Sequence, residues 1–248
     1  MVETSLREVL GIGRHSCVAL IGGGGKTTLM LSLARELERA RERPLVTTTT
    51  RIWPPPGMLL VLGISALREQ PGGAGALCFG RRLSIEGKLE GEDSSLLCDL
   101  RASWPGPLLV EADGSAGRSL KLHASHEPVI PWCSTHVLIV AGLDAVGKPA
   151  NDGVIHRAKL LRDALGSEEG EQVSPGMVAR LLLRMESLVP AQAQPSIMLT
   201  KVDGEVARGT AAEVMSHLTG SRSSVVLTSN GEVVGSRVGA VPLDVGRP

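Results

Sequence analysis

The sequence predicts an α/β chain built on a doubly wound, mostly parallel sheet, and three observations carry that prediction. Short runs that are apolar on both faces recur along the chain, as strands buried on both sides require. Helical patterns lie between them, which is the rhythm of parallel strands joined by crossover helices. With 248 residues and 42% hydrophobic content, the chain can fill the core of such a sheet without disulfide or metal support.

The first apolar run, at 17–21, leads into Gly22, Gly23, Gly24 and Gly25 and then into Lys26, Thr27 and Thr28, which open a helical pattern over 27–43. Runs at 44–48 and 58–62 read as the next strands, followed by 108–112, 136–141, 196–201 and 224–228. Helical patterns over 155–165, 175–188 and 206–218 fill the later gaps, and Ser174 before Pro175 is an N-cap followed by a first-turn proline. One stretch breaks the alternation. Residues 77–91 carry glycine turns and read as a small β-hairpin inserted before the strand at 108, after a glycine-rich surface loop at 70–76. The segment 231–248 reads either as an edge strand or as a tail.

Strand, glycines, lysine, paired threonines and helix follow one another in the order a phosphate-binding loop needs. Glycines let backbone N–H groups turn inward around an anion at a helix N-terminus. Lys26 would then reach the outer phosphates and the Thr27 hydroxyl would ligate Mg²⁺. The usual G-x-x-x-x-G-K-[ST] spacing is not met, because Leu20 stands at the first glycine. Counted from Gly22, the pattern G-x-x-G-K-T-T is shorter and resembles the loop of the Mur ligases. The sheet is therefore expected to be of the P-loop nucleotide-hydrolase type, with residues 1–248 forming a single nucleotide-binding domain.

A metal-binding or water-positioning carboxylate is expected at the end of an apolar strand, and Glu111 and Asp113 close the run at 108–112. Two apart on a continuing strand, they face the same side, at the edge where open α/β sheets bind ligands. One would hold Mg²⁺ and the other orient a nucleophile or substrate. Thr47 to Thr50 and Arg51 bring four hydroxyls and a guanidinium to the same edge; Thr49 and Arg51 are candidates for contact with an anionic group. Thr200, Lys201, Val202, Asp203 and Gly204 resemble the guanine-recognition element of GTPases, in the T-K-x-D-G form of the signal-recognition-particle GTPases. There Asp203 would accept from guanine and Lys201 cover the ring. His123, His126 and Glu127 could be read as metal ligands, but Pro128 and Pro131 argue against a helix through them. A substrate-binding loop is the preferred reading. His156 and Arg157, at the start of a helix, read as a surface pair, and Lys148 is a further strand-end candidate.

Composition excludes some partners. Lys plus Arg (26) and Asp plus Glu (26) cancel, so no positive field is available for sequence-independent nucleic-acid binding. No apolar run is long enough to cross a bilayer, and the first residues are polar. The four cysteines, Cys17, Cys78, Cys98 and Cys133, form no C-x-x-C pair, and buried thiols in a cytoplasmic protein are the expectation.

Taken in order, the short loop, "TTTTRIW", "VEADGS", "HEPVIP", "VAGLDAVGKP", "IHR" and "TKVDG" resemble the YqeC family, described as selenium cofactor biosynthesis or selenium-dependent molybdenum hydroxylase accessory proteins. The resemblance runs from about Gly22 to Asp203. It implies a role in maturing such a hydroxylase or its selenium or molybdenum cofactor; nothing in composition or spacing points to either element. The residues themselves point to Mg²⁺-dependent binding of GTP or ATP with hydrolysis or phosphoryl transfer. The alternative is a nucleotide-gated cofactor carrier or chaperone-like switch with little turnover of its own.

Overall fold

The computed structural model describes residues 4–237 apart from positions 71, 72, 74, 167 and 169. The polar start at 1–3, part of the glycine-rich loop and the stretch 238–248 lie outside the described residues. The chain opens with α1 (Leu6–Leu10), β1 (Cys17–Gly22) and α2 (Lys26–Arg39), then β2 (Leu45–Thr48), β3 (Arg51–Ile52), β4 (Leu59–Leu62) and α3 (Ile64–Arg68). It continues with β5 (Leu77–Gly80), β6 (Arg82–Leu83), β7 (Leu89–Glu90), α4 (Ser94–Ser103), β8 (Leu108–Glu111) and β9 (Leu120–Lys121). The remainder is β10 (His136–Gly142), β11 (Ile155–His156), α5 (Ala158–Leu165), α6 (Pro175–Glu186), β12 (Gln194–Thr200), α7 (Gly204–Ser216), β13 (Ser224–Ser229) and β14 (Glu232–Arg237).

Nine strands form the main sheet in the order β14-β13-β12-β10-β1-β8-β2-β5-β4. Every pairing is parallel except β13 with β14, and of the two readings left open for 231–248, residues 232–237 form an antiparallel edge strand. Alternate residues of β1 serve opposite faces, which is why the run at 17–21 is apolar throughout. Ala19 and Ile21 pack with α5, α6 and α7 through Leu161, Leu182 and Val214, whereas Val18 and Leu20 pack with α1 and α2 through Leu10, Leu29 and Leu33. The Ser174 cap forms as expected, its hydroxyl accepting from the Met177 N–H with Pro175 in the first turn of α6.

The predicted hairpin is narrower than 77–91. Leu77–Gly80 is buried on both faces and joins the main sheet between β2 and β4, so it belongs with the parallel strands. Only β6 and β7 form the hairpin, and β3 adds to it as a third antiparallel strand. This small sheet is pinned to the end of β2, where a Cβ at Gly91 would lie 1.9 Å from the Thr48 carbonyl oxygen.

The cysteine expectation holds for two residues only. Cys17 and Cys78 are buried free thiols, and burial pushes their pKa up to about 11 and about 12. Cys98 and Cys133 instead form a disulfide, which corrects the reading of four free thiols. They lie 35 apart in sequence, and α4 together with the turn before β10 brings them together, a proximity no local spacing rule can register.

Candidate functional site: a glycine loop beside a buried ionic chain

β1 ends at Gly22, whose φ of 97° and N–H bond to Asp113 Oδ2 (2.8 Å) turn the backbone away from the strand. A Cβ there would lie 2.2 Å from the Val140 carbonyl oxygen, and one at Gly24 (φ 80°) 2.5 Å from the Gly142 nitrogen. Only glycine fits this close crossing of the loop over the end of β10. Lys26, the first residue of α2, folds its side chain back so that Nζ donates to the Gly22 carbonyl at 2.5 Å. The Thr200 hydroxyl donates to the Gly24 carbonyl, joining the T-K-x-D-G stretch to the loop. A glycine turn that wraps a lysine ammonium at a helix start thus lies beside the acidic strand β8.

Charges alternate from the loop inward. Lys26 Nζ lies 3.0 Å from Asp113 Oδ1 and 3.9 Å from Glu111 Oε1. Asp113, wholly buried, also meets His123 Nε2 at 2.5 Å and Lys121 Nζ at 3.7 Å. Lys121, equally buried, reaches Glu127 Oε2 at 3.0 Å and donates to the Gly114 carbonyl at 2.5 Å; Arg157 pairs with the same Glu127 oxygen. Burial alone would raise the Asp113 carboxyl, but Lys26, the His123 hydrogen bond and Lys121 outweigh it and hold the group well below the usual carboxylate range. Burial likewise opposes ionisation of Glu127, and Arg157 and Lys121 bring it down to about 2. Glu111 behaves the other way. Burial pushes its pKa up, with Lys26 opposing and Asp113 adding to the rise.

The two strand-end carboxylates are therefore not equivalent. Asp113 meets Lys26, Lys121, His123 and the Gly22 N–H, whereas Glu111 has Lys26 at 3.9 Å and faces the Thr27 hydroxyl, which donates to Oε2 at 3.4 Å. A carboxylate and a hydroxyl side by side are hard oxygen donors of the kind Mg²⁺ takes beside nucleotide phosphates, with waters completing the shell. Glu111 and Thr27 fit that role by their chemistry; Asp113 is positioned to shape the loop.

A cavity of about 850 Å³ opens over the loop and is lined by Gly24, Gly25, Lys26, Thr27, Thr28, Thr50, Arg51, Glu111, Glu127 and Lys201 among others. Thr49 and His126 line a neighbouring cavity, which shares Thr50, Arg51 and Glu127 with the first. His123 is turned inward onto Asp113, with its side chain 3% exposed. Asp203 stands at the N-cap position of α7 without a side-chain capping bond, and its carboxylate accepts from the Ser229 hydroxyl; Lys201 is held by Asp144 Oδ1 at 2.9 Å and by the Ser119 hydroxyl at 2.9 Å. Lys148 pairs with the same Asp144 at 3.2 Å. Among the described residues no group of three or more His, Cys, Asp or Glu side chains could hold a metal ion, so His123, His126 and Glu127 do not form one. Nor is any described helix long and apolar enough to cross a membrane.

Lys121, and Arg81 and Arg82 in the wall of the neighbouring cavity, were not singled out from the sequence. Lys121 lies between Leu120 and Leu122 in a β-type stretch, and a lysine between two buried leucines is the signal that was available.

The family profile described as "YqeC protein" matches residues 18–159. The protein YqeC of Escherichia coli (strain K12) is 30% identical over 166 residues, which are 62% of this chain and 62% of that protein. A solved structure of chloroplast FtsY from Physcomitrella patens resembles 90% of this chain and 63% of its own, at 15% identity and a TM-score of 0.45. In both cases the match spans less than two thirds of the relative's length.

Proposed function

The chain belongs to the YqeC family, and from that premise we propose that it binds GTP or ATP with Mg²⁺ in the cavity over the glycine loop and hydrolyses the nucleotide or transfers its terminal phosphoryl group. The observation that carries this reading is Lys26, 4% exposed, folded back over a four-glycine turn at the mouth of a cavity bounded by Thr27 and Glu111. Backbone N–H groups of the loop and the Lys26 ammonium hold the phosphates. Glu111 and Thr27 hold the metal, which supplies positive charge where negative charge develops on the transferring group. Asp113 sets the place of Lys26 and of the Gly22 backbone. Lys201 and Asp203 take the base. Catalysis then rests on positioning and charge neutralisation, with no covalent enzyme intermediate. In the cell this turnover serves the maturation of a selenium-dependent molybdenum hydroxylase or its cofactor, a role that rests on the family resemblance.

Calorimetric titration with GTP and then ATP, each with and without Mg²⁺, tests the proposal. Saturable binding strengthened by Mg²⁺ is expected, and Glu111→Gln should abolish the strengthening while metal-free binding persists. A preference for GTP that vanishes in Asp203→Ala supports base recognition by that carboxylate. A preference unchanged by Asp203→Ala removes that role, and absence of binding by either nucleotide removes the whole reading.

A further inference from the structure

The small sheet carries three arginines around a single acid. Arg82 Nε lies 2.7 Å from Glu90 Oε2, Arg81 Nη2 3.4 Å from the same oxygen, and Arg51 Nε 3.7 Å from Oε1. The Glu90 side chain is 10% exposed whereas the three arginine side chains are 61–69% exposed, so the carboxylate forms the floor and the guanidinium groups the rim. One carboxylate neutralises one of three cations. Glu86 and Glu92 act on Arg51 and Arg81 through space, and each guanidinium keeps N–H donors that Glu90 does not use. A rim built only to stabilise Glu90 would need one such group, and exposed ion pairs add little stability.

These arginines face a cavity of about 800 Å³ whose other walls are Thr49, Thr50, Gly91, His126 and Glu127. Its volume is that of a small-molecule site rather than of a macromolecular surface. Glu127, the other acid of this cavity besides Glu90, is already held by Lys121 and Arg157 and competes little for the guanidinium groups. Thr50, Arg51 and Glu127 belong to this cavity and to the one over the glycine loop, so the two are contiguous. The tight Gly91–Thr48 crossing fixes the small sheet against the end of β2, which keeps the arginine rim at a set distance from the loop.

We propose that Arg51, Arg81 and Arg82 form a second anion site that seats the phosphate group of a phosphorylated small-molecule substrate beside the loop cavity. Its place as the site of a co-substrate rests on the nucleotide reading given above; its binding of phosphate does not. Planar guanidinium forks match phosphate oxygens pairwise, and the Thr49 and Thr50 hydroxyls border the same space.

Inorganic pyrophosphate serves as the probe, titrated calorimetrically into Lys26→Met protein so that the glycine loop is weakened as a competing anion site. Binding is expected to remain in that variant and to weaken at least tenfold when Arg81→Gln and Arg82→Gln are added. Thr49→Glu, which places a carboxylate in the cavity without touching the Glu90 ion pairs, should weaken it as well. Pyrophosphate binding that is absent in Lys26→Met, or that is indifferent to both the arginine pair and Thr49→Glu, overturns the proposal. Failure of the nucleotide reading is seen separately, as absence of GTP and ATP binding by the unsubstituted protein.

Discussion

Lys26→Met is expected to lower turnover of the Mg²⁺-bound nucleotide by about 100-fold or more, the usual loss when one preorganised group facing developing charge is removed. Its ammonium is the cation that the loop itself carries, folded onto the Gly22 carbonyl and 3.0 Å from Asp113. Lys121 is occupied by Glu127, Gly114 and Asp113 on the inner side, and Lys201 by Asp144 and Ser119. Methionine keeps the length and apolar stem of lysine, and Asp113 retains Lys121 and His123, so the fold should persist and can be verified by a cooperative thermal transition. A steady-state rate in Lys26→Met equal to that of the parent would remove lysine from the phosphate site.

The second large effect is on stability. Asp113→Asn should destabilise the protein by about 3–5 kcal/mol, the cost of leaving buried charges without their partner, and lower the melting temperature on the order of 10 °C. Lys26, Lys121 and His123 all converge on this one carboxylate, which also accepts from the Gly22 N–H. The sign of the pH dependence follows. A carboxylate whose folded pKa is depressed contributes above its ordinary value of 3.8 and loses that contribution as the pH falls below it. Glu127, held at about 2, acts in the same direction, and Glu111, raised by burial, acts against both. Urea midpoints of the parent should therefore decline as the pH drops below about 4, and Asp113→Asn should flatten that decline. Glu111→Gln, by contrast, removes a carboxylate whose ionisation burial opposes, and should leave the midpoint at neutral pH close to that of the parent. Equal losses in the two variants would contradict the different roles assigned to the two acids.

The parallel core was legible because its physics is local. Strands buried on both faces read as continuous apolar runs, and the seven runs from 17–21 to 224–228 all lie in the nine-stranded sheet. The start of α2 was equally legible, since a glycine run before a lysine and two threonines has little else to do. Leu77–Gly80 was read as hairpin because the glycine turns that follow it signal antiparallel pairing, while its own partners β2 and β4 precede it in sequence. The helices α1 and α3, five residues each, are too short for periodicity to register.

Within the site, the carboxylate pair could be located but not divided. Glu111 and Asp113 are alike in sequence; only the folded neighbours show that Lys26, Lys121 and His123 converge on one while the other faces a hydroxyl. The buried Lys121 and the arginine rim were illegible for a related reason. Their meaning depends on segments far apart in the chain meeting at one edge of the sheet, β3 with β7 and β9 with β11.

The central claim is that the loop from Gly22 to Thr28 receives phosphate through its backbone. Nitrogen-15 chemical shifts of the loop amides, recorded while Mg²⁺ and a non-hydrolysable GTP or ATP analogue are added, test it most directly. The largest changes should fall on Gly24, Gly25, Lys26 and Thr27, with a smaller change at Gly23, whose N–H already donates to the Val140 carbonyl at 3.0 Å. Saturating nucleotide that shifts amides elsewhere and leaves these four in place would contradict it.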